Sequence, residues 1–517
     1  MSLAAWAVGV TILGRLLLTH FERELRINAV GLLALSYIVG IGAYTWIAYL
    51  FILAGGKYTL PSAVLLESGL IVFAYLLRCK NPGRFLFAFR ISLRRASDWA
   101  LVALLVPLFA FAAYVAFWTP IYWSDSIYYY DGVGRVLAKA GTLYTADVKS
   151  LVFVYGAPSL LAHISHATSY LLSSDEHVAV MYAGYYVSLV LLFAFLRWES
   201  PNPGVPQALR GNLSSLPSRL LTICLATTPF VFSMGYVVLT SLPGAVYFFA
   251  GVLVWKRFIG LPSRRLALLS GMLFALGSWT RVEAVYFYLP VTLITLAMAT
   301  VSDRVGRHAI AFVLPLLAMD LSRYAFVMLS GQLDLFILRT PIPYLDLGIQ
   351  FSAVGYAILV ARVGEDWTER LAWGVLGVIV FGLLGLGGVA VLNFEPVRAS
   401  TLQLWRLISD PVWGLAGLFA ALALFSPSLF RRTEWLLFLV ILSLVAIRIM
   451  LYAGIIVQIG SDATITHDGN RVLLYVWPLV LYWVSCSREL RGLFLFGGRR
   501  PGPPARQQSS EKTPSVS

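Results

Sequence analysis

The chain alternates long apolar stretches with short polar joints. A helix needs about 20 mostly apolar residues to cross the hydrocarbon core of a bilayer, and stretches near this length recur along nearly the whole chain. The pattern predicts about fifteen membrane-spanning helices, and hence an all-α, polytopic transmembrane helix bundle. The predicted spans are residues 3–19, 28–54, 60–77, 99–118, 177–197, 219–238, 242–258, 265–279, 284–300, 308–329, 346–362, 371–392, 411–426, 434–458 and 471–486.

Composition supports the same class. Of the 517 residues, 59% are hydrophobic and 12% are charged, whereas about 25% of residues are charged in an ordinary soluble domain. The net charge of +14 could indicate a nucleic-acid partner, so the positions of the basic residues decide its meaning. If the spans alternate in direction, about two thirds of the 39 Lys and Arg residues lie on one side, which the positive-inside rule makes cytoplasmic. Orientation accounts for the charge, and the expected partner is the lipid bilayer and not a nucleic acid.

The same alternation predicts the localisation and the ends of the chain. It describes a multi-pass protein of the cell membrane with its N-terminus outside and its C-terminus in the cytoplasm. Residues 487–517 are rich in Pro, Ser and charge, which predicts a disordered tail. The cysteines, Cys79, Cys224 and Cys486, show neither a disulfide framework nor the spacing of a metal site.

The longest joint, residues 119–176, falls on the outer side and contains helical segments. Its stretch "SDSIYYYDGVGRVLAKAG" begins with Ser124 and Asp125, either of which could cap a helix that closes at Gly141. A second apolar segment, residues 151–172, is broken by Gly156 and Pro158. It predicts a helix that lies at the membrane interface or re-enters the membrane.

Ionisable residues cluster at the outer ends of the predicted spans. Such residues are costly at membrane depth and therefore require either a functional or a structural explanation. Their convergence from distant parts of the chain is the main indication of a site. The residues are Asp125, Asp131, Arg281, Glu283, His467, Asp468 and Arg471.

Each acid of the first loop has a structural alternative. Asp125 could accept a proton from an acceptor hydroxyl or amine, or it could cap an interfacial helix, with Tyr128 about one turn later. Asp131 precedes Gly132, and on position alone a turn or a solvated carboxylate is the favoured interpretation.

The later residues also have structural alternatives. On residue chemistry alone, the favoured interpretation of Arg281 and Glu283 is that they pair with each other or extend into the headgroups. Arg471 suits a phosphate, which its planar fork of donors can grip, or a lipid headgroup. His467 and Asp468 could bind a divalent cation or carry a proton, although a surface loop is the favoured interpretation. The sequence therefore identifies no certain cofactor, and the binding of a divalent cation is left as an alternative.

Two further charged residues fall inside a predicted span. Asp320 and Arg323 are three residues apart, which places them on one helix face. A mutually neutralised pair is the expected arrangement.

Taken together, these motifs resemble the glycosyltransferase C superfamily, polytopic enzymes that use polyprenyl-phosphate sugars and include protein mannosyltransferases and aminoarabinose-type lipid A transferases. The resemblance rests on "YWSDSIYYYDGVGRVLAKAGTLY" and "YGAPSL" in the outer loop, "WTRVEA" after a mid-chain span, and "GNRVLLYVWPLVL" at the last span. It covers residues 99–486, so residues 1–98 stand apart as N-terminal helices with a basic cytoplasmic loop. Where the family often has an acid before a proline, this chain has Thr240, Ser241 and Leu242 before Pro243.

The resemblance implies an inverting sugar transfer on the outer face of the membrane, from a polyprenyl-phosphate donor to a lipid, glycan or protein acceptor. It implies that Asp125 is the catalytic base and that Arg281 or Arg471 stabilises the charge of the departing phosphate. The residues expected around the substrates are Tyr128, Asp131, Arg281, Glu283, His467 and Arg471. A transporter or flippase of a lipid or small solute is the alternative, because it too needs many spans and a few buried charges.

Overall fold

The structure is a computed structural model, and it describes most of the predicted spans. The residues described are 3–25, 27, 29–78, 96–121, 125–152, 160–173, 177–195, 216–281, 284–331, 342–362, 374, 388, 391–409, 426–430, 434–459 and 463–487. The predicted spans at 371–392 and 411–426 lie mainly outside these residues, as does the predicted tail.

All regular structure in the described residues is helical, which confirms the predicted all-α class. Besides a π-helix at Asp125–Asp131 and a 3₁₀ turn at Pro427–Phe430, the helices in chain order are α1 Leu3–Leu18, α2 Glu22–Leu25, α3 Ala29–Leu53, α4 Leu60–Arg78, α5 Ala96–Trp118, α6 Gly132–Ala140, α7 Ala146–Val152, α8 Leu161–Leu172, α9 Ala179–Phe195, α10 Leu216–Thr227, α11 Pro229–Ser233, α12 Ser241–Gly260, α13 Arg264–Thr280, α14 Ala284–Val301, α15 Asp303–Leu329, α16 Ile342–Arg362, α17 Phe394–Ser409, α18 Glu434–Ile459 and α19 Ala463–Ser485.

Five of these helices, α3, α4, α5, α12 and α15, are long and apolar enough to cross a membrane. This indicates an integral membrane protein. The number of about fifteen spans stays a prediction.

Two predicted boundaries are wrong. The span expected at residues 219–238 is broken into α10 and α11 at Thr228, whose ψ of 116° is extended, because the residue before a proline avoids the helical conformation and Pro229 follows it. The last span was expected to begin at residue 471, but α19 begins at Ala463. His467 and Asp468 therefore have helical backbones and do not belong to a surface loop.

Helix α12 lies at the centre of the bundle, and α4 and α5 lie at its periphery. In α12, 89% of the most apolar stretch is buried, against 17% in α4 and in α5. Helices α1 and α3 cross in close contact, since a Cβ atom at Gly40 would lie 1.7 Å from the Val10 carbonyl oxygen. Only a glycine permits that approach.

The segment between α5 and α9 contains helices in both stretches where the sequence predicts them. The π-helix leads directly into α6, which ends at Gly141 with φ of 68° and its N–H bonded to the Leu137 carbonyl oxygen. This confirms the predicted stop, because glycine adopts the left-handed conformation readily. Helix α8 is buried within the protein: His163 and His166 are 1% and 0% exposed, and the helix packs against α3 and α6. Its predicted place at the membrane interface stays a prediction.

Candidate functional site

The first turn of α12 and the residues before it form the centre of the candidate site. We call residues 238–244 the α12 start segment. Thr240 precedes the helix with helical dihedral angles and no side-chain cap, and Pro243 lies in the first turn. The first N–H groups of a helix have no acceptor within the helix and carry a partial positive charge. This segment is therefore electrostatically suited to an anion.

The π-helix at Asp125–Asp131 is attached to this segment. The Ser126 hydroxyl donates to the Val238 carbonyl oxygen at 2.7 Å, and Ser126 is 1% exposed. Ser126 follows Asp125, so the backbone of the predicted base lies beside the α12 start segment. The side chains of Asp125 and Tyr128 lie outside the described residues.

Arg281 is attached to the same segment. It is the first residue after α13 and is extended, with φ of −152° and ψ of 141°. Its Nη1 atom donates to the Ser241 hydroxyl at 2.7 Å, and its side chain is half-buried. Glu283 lies outside the described residues, so its pairing with Arg281 stays a prediction.

The last span also reaches this segment. A Cβ atom at Gly244 would lie 2.1 Å from the Tyr475 hydroxyl and 2.8 Å from the Thr280 hydroxyl, so Tyr475 of α19 lies directly against the first turn of α12. The backbones of Arg471 and His467 lie about one and two turns before Tyr475 in the same helix. Their side chains are not among those described.

Three distant parts of the chain therefore meet on seven consecutive residues. The attachment points are Val238, Ser241 and Gly244. An extended chain advances at most about 3.6 Å per residue and a helix about 1.5 Å, so these three points lie within about 15 Å of one another. The buried Thr240 hydroxyl lies between them and makes no hydrogen bond with the described residues.

Asp131 is buried, so its favoured interpretation as a turn or a solvated carboxylate is wrong. Its side chain is 3% exposed. One carboxylate oxygen accepts from Nε of Arg135 at 2.6 Å, and the other accepts from the Tyr170 hydroxyl. The Arg135 guanidinium also lies over the Tyr170 ring, 5.1 Å from its centroid. Burial and the bond to the Asp131 carboxylate raise the pKa of Tyr170 above its ordinary value.

His166 joins the π-helix to α9. Its Nδ1 atom lies 3.1 Å from the Tyr130 carbonyl oxygen, and its Nε2 atom lies 3.1 Å from the Tyr182 hydroxyl. A carbonyl oxygen can only accept, so the proton is on Nδ1 and the Tyr182 hydroxyl donates to Nε2. Burial lowers the pKa of His166 to about 3. The imidazole is therefore a neutral structural link at ordinary pH.

The predicted pair inside α15 is confirmed. Arg323 Nη2 donates to an Asp320 carboxylate oxygen, and both side chains are buried. Arg323 also donates to the Ser278 carbonyl oxygen at 3.4 Å. In the described part of the chain, no three His, Cys, Asp or Glu side chains are grouped as metal ligands would be.

Sequence analysis missed several residues of this region, and only some had a readable signal. The four-residue spacing of Asp131 and Arg135 could have identified their pair. The Ser241–Pro243 stretch is typical of a helix start, and it occupies the place where the resembled family often has an acid. Tyr170 comes from a separate segment, so nothing in the sequence indicated its contact.

Comparison of the chain with protein-family models, with curated proteins and with solved structures finds no match.

Proposed function

We propose that this protein is an integral membrane glycosyltransferase that moves a sugar from a polyprenyl-phosphate donor to an acceptor on the outer face of the membrane. The observation that supports it best is the meeting of three distant segments at the α12 start segment. These segments carry an acid, Asp125, and two cations, Arg281 and Arg471. An acid and phosphate-binding cations are the groups that an inverting sugar transfer needs.

The reaction needs one proton acceptor and one leaving group. Asp125 takes the proton from the acceptor hydroxyl or amine as that oxygen or nitrogen attacks the anomeric carbon. The bond between the anomeric carbon and the phosphate oxygen breaks, and the lipid phosphate leaves with the electron pair. Attack opposite the leaving group inverts the anomeric centre.

Arg281 and the start of α12 supply the positive charge for the leaving phosphate. The hydrogen bond from Nη1 to the Ser241 hydroxyl holds the guanidinium at the helix start, and a guanidinium is suited to phosphate oxygens by its charge and planar shape. The partial positive charge of the helix N-terminus adds to that of Arg281.

Asp131 has a positioning role in this proposal. Both carboxylate oxygens have protein partners, Arg135 and Tyr170, and the residue closes the π-helix that Asp125 opens. The contacts of Asp131 with Arg135 and Tyr170 hold one end of this helix, and the hydrogen bond from Ser126 to Val238 holds the other. Asp125 is thereby held by its backbone against the α12 start segment.

The direct test removes the proposed base without changing its size. Asp125→Asn is expected to reduce transfer from labelled polyprenyl-phosphate sugars by about 100-fold to 10,000-fold, the usual contribution of a general base. Asp147→Asn is the matched control, because Asp147 is exposed on α7, and it should keep native transfer. Undiminished transfer by Asp125→Asn at native protein level would reject the proposal.

A second series tests the phosphate site. Arg281→Gln should slow transfer and raise KM for the lipid donor, and Arg281→Lys should recover part of the loss, because it keeps the charge but not the fork. Ser241→Ala removes only the anchor and should cost about fivefold, the value of one hydrogen bond. Equal activity of Arg281→Gln and the native protein would exclude this arginine from the site.

A transporter or flippase is the second candidate, and buried ionisable residues within helices favour it. Glu67 is 3% exposed in α4 and its Oε1 atom has no hydrogen bond within the described residues. Arg448 is 1% exposed in α18 and donates to the Ser400 carbonyl oxygen at 2.8 Å. A transporter predicts that Glu67→Gln abolishes lipid or solute flux in proteoliposomes that show no sugar transfer.

A further inference from the structure

We propose that the end of the bundle where α13 and α15 begin binds the headgroup of an anionic phospholipid. The surface consists of four exposed arginines, Arg264, Arg265, Arg304 and Arg307, which we call the basic platform. It lies at the membrane end predicted to be cytoplasmic, apart from the α12 start segment. It does not depend on the proposed transfer reaction.

Helices α13 and α15 run side by side in the same direction. A Cβ atom at Gly271 would lie 2.0 Å from the Phe312 carbonyl oxygen, and Arg323 donates to the Ser278 carbonyl oxygen farther along both helices. Gly271 precedes Ser278 in α13, and their partners Phe312 and Arg323 follow in the same order in α15. The two helices are therefore parallel. Their N-termini therefore lie together at one end of the bundle.

Three platform arginines lie in the first turns of α13 and α15, where the helix dipole favours negative charge. Arg264 and Arg265 are the first two residues of α13, and Arg304 is the second residue of α15. Two helix N-termini and these cations repel one another. Ser263 caps α13 by accepting from the Leu266 N–H, and the earlier N–H groups of both helices have no acceptor within the helix. An anion between the two helix starts would relieve the repulsion and could accept from those groups.

Two described carboxylates lie near the platform, Glu24 and Asp303, the exposed first residue of α15. Against four arginines they leave an excess of two positive charges. Glu24 accepts from the Ser263 hydroxyl and lies 3.9 Å from Arg265. Arg264 and Arg304 make neither a hydrogen bond nor an ion pair with the residues that the structure describes. Two exposed guanidinium groups thus have their donors available for phosphate oxygens.

The surroundings favour a lipid over a soluble phosphate. Val301 is 76% exposed and Leu261 is 39% exposed, and each lies three residues before a platform arginine, Arg304 and Arg264. Apolar side chains beside cations match the boundary between acyl chains and headgroups. The platform is at the end of α15, which is itself long and apolar enough to cross a membrane.

The test uses the full-length protein in micelles and phosphatidylglycerol with a fluorophore on one acyl chain. Each arginine near an anionic lipid surface strengthens binding by about fivefold, so Arg264→Gln with Arg304→Gln should raise Kd by about 25-fold. Unlabelled phosphatidylglycerol should compete, whereas phosphatidylcholine and inorganic phosphate at millimolar concentration should not.

The matched control removes the same charge elsewhere. Arg398→Gln with Arg406→Gln changes two exposed arginines of α17 and should leave Kd unchanged. An unchanged Kd in the platform variant, an equal loss in the control, or displacement by inorganic phosphate would each overturn the proposal. If the double variant is not recovered folded, the single variants Arg264→Gln and Arg304→Gln, each expected to lose about fivefold, decide the question in the same way.

Discussion

Acidification should destabilise the protein through His166. Burial lowers the pKa of this imidazole to about 3, whereas an unfolded histidine has a pKa of about 6.5. Between these values the unfolded state binds a proton that the folded state does not, so the free energy of unfolding falls as the pH falls. At pH 5, about 1.5 pH units below the unfolded value, the loss is about 2 kcal/mol.

The assay is the free energy of unfolding of the purified protein in micelles between pH 7.5 and pH 5. His166→Gln cannot titrate, so this variant should lose about 1 kcal/mol at pH 7.5 for one weakened hydrogen bond and lack the histidine part of the pH dependence. His20→Gln is the control, because His20 is exposed. The reasoning fails if native protein and His166→Gln lose stability equally between the two pH values.

Two further substitutions test packing and polar contacts by the same unfolding measurement. Tyr170→Phe keeps the ring under Arg135 and removes only the hydroxyl bound to Asp131, so it should cost about 1 to 3 kcal/mol; no measurable loss would mean that the carboxylate does not need this donor. Gly40→Ala forces a Cβ atom to 1.7 Å from a carbonyl oxygen of α1 and should cost about 1 to 3 kcal/mol. Gly69→Ala, where a Cβ atom meets nothing within 4 Å, should be neutral or slightly stabilising, and an equal effect of the two glycine substitutions would contradict the close crossing.

Local patterns predicted the helices well. Apolar length identified most of the described helices, Gly141 identified the end of α6, and the three-residue spacing of Asp320 and Arg323 identified their pair. These features depend on residues within a few turns of one another, so periodicity and capping chemistry are sufficient. The Thr228–Pro229 break was readable from the proline, but the continuous hydrophobicity on both sides concealed it.

Contacts between distant segments were not predictable. Tyr170, which contacts the buried Asp131, comes from α8. His166 is buried beside Gly134 of α6, with Tyr130 of the π-helix and Tyr182 of α9 as its polar contacts. An apolar helix in a loop has the same sequence pattern whether it lies against lipid or against protein, so the position of α8 could not be determined. The α12 start segment accepts hydrogen bonds from Ser126 and Arg281, which are far from it in the sequence.

The π-helix has a consequence for how this chain can be aligned with others. Each of its N–H groups reaches back five residues where an α-helix reaches back four, which is equivalent to one extra residue in the same path. Deleting one residue there would restore an ordinary α-helix over the same path and leave the flanking residues facing as they do now. Related chains without that extra residue would carry the acid one place nearer to the closing glycine, and a search pattern with fixed spacing would overlook them.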